Sequence, residues 1–93
     1  MSTAGCTLLI PNALGLHLRA AATFARTAGQ FDSRITVQFG RKTVDAKSTI
    51  GLITLGACQD GEVAVTADGN DAAAAIQAIE ALFHRSFAEA SVA

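Results

Sequence analysis

The sequence predicts an α+β fold: one sheet covered on a single side by helices, with the element order β-α-β-β-α-β-α. Three observations predict it. Segments of clean apolar/polar alternation, "SRITVQF" and "EVAVTA", mark strands with one wet face. Other segments place small and apolar residues at spacings of three and four, which marks amphipathic helices. The two kinds alternate along the chain with short turns between them, and strands with polar outer faces bury their inner faces under helices.

Each element follows from local signals. "GCTLLI", Gly5 to Ile10, is rich in strand formers and ends at Pro11 and Asn12. From His17 to Ala28, Leu18, Ala21, Ala22, Phe24, Ala25 and Ala28 share one helix face, and Gly29 is the stop. Ile35, Val37 and Phe39 form one face of the next strand, which turns at "GRK" into a short strand around "KTVDA", so residues 34–46 read as a hairpin. In "KSTIGLITLG", Ser48 is the N-cap and Gly56 the stop of one or two helical turns, with a strand at "LITL" as the competing reading. "EVAVTA" points Val63 and Val65 inward and ends at "DGND". Asn70 or Asp71 then caps a last helix along which Ala75, Ile76, Ile79, Leu82, Phe83 and Phe87 recur, and the tail "AEASVA" is expected to fray.

The 93 residues suit one domain, residues 1–93, with its core at about 5–88. Hydrophobic residues are 51% of the chain but only 5% are aromatic, so the core is expected to be thin and alanine-rich. A net charge of −1 with no basic run excludes the electrostatic footprint of a nucleic-acid binder. No apolar stretch reaches the roughly 18 residues of a membrane span, and the N-terminus lacks the charged region of a signal peptide, so a cytoplasmic protein is expected. Cys6 and Cys58 read as small buried hydrophobes. With His17 and His84 they lie in unrelated contexts, so no metal site is expected, and His84 is assigned no chemistry.

The residues that carry chemistry lie in two stretches. "GLHLRAA" places Gly15, Leu16, His17, Arg19 and Ala21 at the start of the first helix, and "KSTIGLITLG" runs from Lys47 to Gly56. Both resemble motifs of the HPr family, the phosphocarriers of the phosphoenolpyruvate-dependent sugar phosphotransferase system, at the family's separation, and the resemblance runs from the first strand to the last helix. It implies an open-faced β-sandwich with a four-stranded antiparallel sheet under three helices. It also implies that His17 accepts a phosphoryl group on Nδ1 from phosphorylated enzyme I and passes it to enzyme IIA domains. The protein would then be a substrate and relay, monomeric and without cofactor, and not an enzyme with its own turnover.

Elementary chemistry supports that expectation. An imidazole ordinarily loses its proton near pH 6.5, so a good share is the neutral nucleophile at pH 7, and a positive field enlarges that share. Two such fields meet at the histidine. A helix N-terminus favours an anion by roughly 0.3–1 kcal/mol, and the forked Arg19 guanidinium suits phosphate oxygens. The resemblance places the phosphate on the backbone amides of Leu18 and Arg19, with Gly15 allowing the approach. Two positions depart from the family pattern: Leu18 stands where a small residue is usual, and Ala20 where proline is usual. Ala20 adds an N–H to the cradle, which is expected to stabilise the phosphorylated form slightly, and Leu18 bears on partner choice.

Ser48 carries a structural reading, the N-cap, and a regulatory one. The resemblance implies phosphorylation of Ser48 by HPr kinase/phosphorylase, with a transcription regulator as a further partner. Ile50 and Ile53 share one face of the short helix and Leu52 and Leu55 another, so one pair is core and the other exposed, with Ile50 the exposed member, and the resemblance implies that Ile50 and Ile53 contribute to partner docking. Thr49 and Phe24 complete the docking residues that the resemblance implies, and Arg26 and Lys47 are candidates for attracting acidic partners. The alternative output is a regulatory HPr paralogue, in a nitrogen-type chain or as a non-phosphorylated interaction module that moves no sugar.

Overall fold

The order of pairing, more than the order of elements, shapes this molecule. In the computed structural model, which describes residues 2–87, the strands are β1 (Ser2–Leu9), β2 (Arg34–Phe39), β3 (Lys42–Asp45) and β4 (Glu62–Gly69). The helices are α1 (Leu18–Ala28), α2 (Thr49–Thr54) and α3 (Ala72–His84). The strands form one antiparallel sheet in the order β1-β4-β2-β3. The last strand made is therefore central. β1 and β2 run parallel on either side of β4, with α1 as the crossover, and β3 and β4 run parallel on either side of β2, with α2 as the crossover.

Register turns the alternation into two faces. Cys6 pairs with Val65 and Val65 with Val37, while Ala4 pairs with Ala67 and Ala67 with Ile35, so these residues line the face under the helices. Thr7, Ala64 and Gln38 form one row of the opposite, solvated face. The three helices cover the inner face, and Ile10, Phe24, Leu52, Ile79 and Leu82 lie fully buried there. α2 is a helix, which removes the competing strand at "LITL", and Gly56 follows its last turn.

Several boundaries and placements move. The first strand begins at Ser2, not Gly5, because β4 continues to Gly69 and offers partners for the three added residues. α1 begins at Leu18, with His17 outside it as the N-cap. Asp71 is at the N-cap position of α3 but makes no side-chain cap. Its carboxylate instead accepts from the Asp32 and Ser33 amides at 2.8 and 3.0 Å and from the Ser33 hydroxyl, fastening the entry of β2 to the start of α3. Cys6 is partly buried, and that burial, followed by the charge of Glu80, pushes its thiol pKa up. Cys58 is exposed rather than buried, because it opens the turn closed by Gly61 N–H to Cys58 O at 2.8 Å.

α3 stops at His84, short of the expected Phe87. Ser86 N–H donates to Phe83 O at 3.0 Å and Phe87 N–H to Leu82 O at 2.9 Å, with Ser86 at φ 54 and Phe87 at φ 64. That is a Schellman ending with serine where glycine is usual. It folds Phe87 back into a cluster with Phe24 and Phe83, at ring-centroid distances of 6.3 and 4.8 Å. The expected fraying of the tail concerns residues 88–93, which lie outside the described residues.

Candidate functional site

The loop from Asn12 to His17 joins β1 to α1, and Gly15 is its pivot. At φ +67 the residue is in the left-handed region, and a Cβ there would fall 2.4 Å from Ala57 O and 2.9 Å from the Cys58 Cα. Only glycine lets the loop lie against that backbone, so Gly15 serves the approach of residues 57–58. Leu16 N–H closes the contact by donating to Ala57 O at 3.0 Å.

His17 follows as a half-buried N-cap with extended backbone, φ −76 and ψ 179. Its Nδ1 accepts the Arg19 backbone N–H at 3.2 Å. A ring nitrogen that accepts carries no proton, so the neutral imidazole keeps its proton on Nε2 and turns the Nδ1 lone pair toward the start of the helix. The first intrahelical bond is Ala21 N–H to His17 O at 2.8 Å. The amides of Leu18, Arg19 and Ala20 therefore lie ahead of the helical ladder: Arg19 bonds the ring, and the other two have no intrahelical acceptor.

Around this histidine the surface opens into a groove of about 780 Å³, whose lining includes Asn12, Leu14, Leu18, Arg19, Ser86 and Phe87. Leu14 is 76% exposed and Leu18 67%, two large apolar side chains at the rim. Ser86 and Phe87 bring the end of α3 to the same groove.

A family model described as the PTS HPr component phosphorylation site matches residues 5–85. The chain belongs to the HPr family. The phosphocarrier protein HPr of Xylella fastidiosa strain 9a5c is 39% identical over 82 residues, which is 88% of this chain and 92% of that protein. An HPr from Thermoanaerobacter tengcongensis superposes with a TM-score of 0.88 at 41% identity, covering 92% of this chain and 97% of that one. A second structure from that organism, described as an HPr dimer, gives 0.74 at 42% identity, with 90% and 97% covered. HPr proteins are phosphocarriers of the bacterial phosphotransferase system, and this chain has the HPr fold.

Within this HPr fold the expected docking residues divide. Ile50 is 70% exposed, as expected, Thr49 and Ile53 are half-buried, and Leu52 and Leu55 are the core pair. Phe24 is fully buried, edge-to-face with Phe83 at 5.5 Å, so it is core and presents no docking surface. Ser48 caps α2 through its hydroxyl, which accepts Gly51 N–H at 3.0 Å. The Lys47 ammonium is engaged by Phe31 O at 2.7 Å. Asn12, Leu14, Ser86 and Phe87 were not singled out as site residues. An apolar residue in a loop, such as Leu14, was the one visible signal among them. Among the described residues no cluster of His, Cys, Asp or Glu suits a metal ion, and no helix is long and apolar enough to cross a membrane.

Proposed function

We propose that His17 is the phosphoryl acceptor of this carrier, charged by phosphorylated enzyme I and discharged to enzyme IIA domains. The observation that carries the reading is the Arg19 N–H to Nδ1 bond. It reserves the Nδ1 lone pair as a nucleophile, held in a defined direction with the ring proton parked on Nε2. In the transfer, that lone pair forms a bond to phosphorus while the bond from phosphorus to its donor breaks. No proton has to leave Nδ1. The Arg19 amide, released from the ring, turns to a phosphoryl oxygen, joined by the amides of Leu18 and Ala20 and by the Arg19 guanidinium. Leu14 and Leu18 form an apolar rim that a docked partner covers, which excludes water from the reacting atoms.

Incubation with phosphoenolpyruvate and enzyme I tests this directly. The expected product is an acid-labile phosphoryl group on the wild type that is absent from His17→Ala. An unlabelled wild type overturns the reading. Transfer onward to a sugar-specific enzyme IIA supports the uptake branch, and transfer only to a nitrogen-type acceptor supports the regulatory one. Ser48 is a secondary candidate for regulation: a phosphate there keeps an oxygen acceptor for Gly51 N–H while adding negative charge beside Ile50.

A further inference from the structure

The groove wall holds a buried polar group that the phosphoryl transfer leaves unused. Asn12 Oδ1 is the buried side-chain atom without a hydrogen-bond partner among the described residues. A buried amide oxygen left unpaired is unfavourable, so something fixes the amide in this orientation. That something is its other end: Asn12 Nδ2 donates to Gly15 O at 2.8 Å. Flipped, the amide would set its oxygen against the Gly15 carbonyl, acceptor against acceptor.

Gly15 O is a shared acceptor, because it also takes the His17 N–H at 2.9 Å. Gly15 N–H returns to Asn12 O at 3.1 Å, so Asn12 holds Gly15 from both sides. Through that single carbonyl the Asn12 amide bears on the backbone of His17, and so on the direction of the ring whose Nδ1 meets Arg19 N–H. Leu16 N–H, in the same planar peptide as the Gly15 carbonyl, donates to Ala57 O, so Asn12 and Ala57 hold that peptide plane from its two edges.

From this geometry we propose that Asn12 is a positioning residue for phosphotransfer, clamping the Gly15 carbonyl so that His17 is presented with Nδ1 aimed at the incoming phosphorus. The proposal rests on the reading of His17 as acceptor, and its test separates the two. Asn12→Asp keeps the size and removes the donor, and Asn12→Ala removes the side chain. Both are compared with the wild type by amide hydrogen exchange in the uncharged protein and by the rate of labelling from phosphorylated enzyme I.

The expected result is exchange at His17 and Leu16 faster by about tenfold or more, with α3 amides unchanged, and a kcat for labelling about tenfold lower at unchanged KM. Wild-type exchange and labelling in both variants overturn the clamp. Exchange that rises uniformly along the chain also overturns it, since that marks a merely structural role. If the wild type itself takes no label, the acceptor reading falls, and exchange at His17 and Leu16 still decides the clamp.

Discussion

Gly15 has one structural role, and His17 has two roles that substitutions can separate. Gly15→Ala drives a methyl into the Ala57 carbonyl at a left-handed φ, so urea unfolding is expected to show a loss of at least about 2 kcal/mol. His17 is both the proposed nucleophile and a helix cap. His17→Asn retains a good cap and His17→Ala does not, so the asparagine variant is expected to be the more stable by about 0.5–1 kcal/mol while neither takes label. His17, Arg19 and Gly15 were readable because they sit within five residues of one another at a helix start. Asn12 and Leu14 were not, since the loop conformation that brings the Asn12 amide to the Gly15 carbonyl and Leu14 to the rim depends on where Gly15 and Leu16 settle against Ala57, more than forty positions later.

The helices make their predictions at their ends. Ser48→Ala removes the acceptor for Gly51 N–H and is expected to lower stability by about 1 kcal/mol in thermal or urea unfolding, whereas Ser48→Asp keeps most of the cap. At the end of α3 the serine is the strained choice: Ser86 holds φ 54 without being glycine. Ser86→Gly is expected to raise stability by about 0.5–1 kcal/mol, and an unchanged or lower unfolding midpoint would count against strain at that position. Helix starts and stops were read from sequence to within a residue or two where a cap or a glycine marked them. The end of α3 was misread because Phe87 keeps the apolar spacing after the backbone has already turned. Phe24 was misplaced for a related reason: periodicity identifies an apolar face but does not say whether a partner or the core covers it.

At the scale of the whole molecule, acid acts through the clasp between β2 and α3. Hydrogen bonds from Ser33 and Asp32 hold the Asp71 carboxyl below its usual value. A group whose folded pKa is lowered contributes stability above its unfolded value of about 3.9 and loses it as pH falls through the folded one. The urea midpoint of the wild type is therefore expected to fall as pH drops from about 5 toward 3, and Asp71→Asn is expected to flatten that fall. The element order was readable throughout, because each strand and helix carries its own period. The strand order was not, since the pairing of β4 with both β1 and β2 joins residues far apart in sequence. That insertion bears on synthesis. A nascent chain that has emerged as far as residue 61 carries two strands, β1 and β2, whose shared neighbour has not yet been made. Cooperative closure waits for the eight residues of β4, so the histidine loop is expected to gain a fixed frame only after Gly69 has left the ribosome.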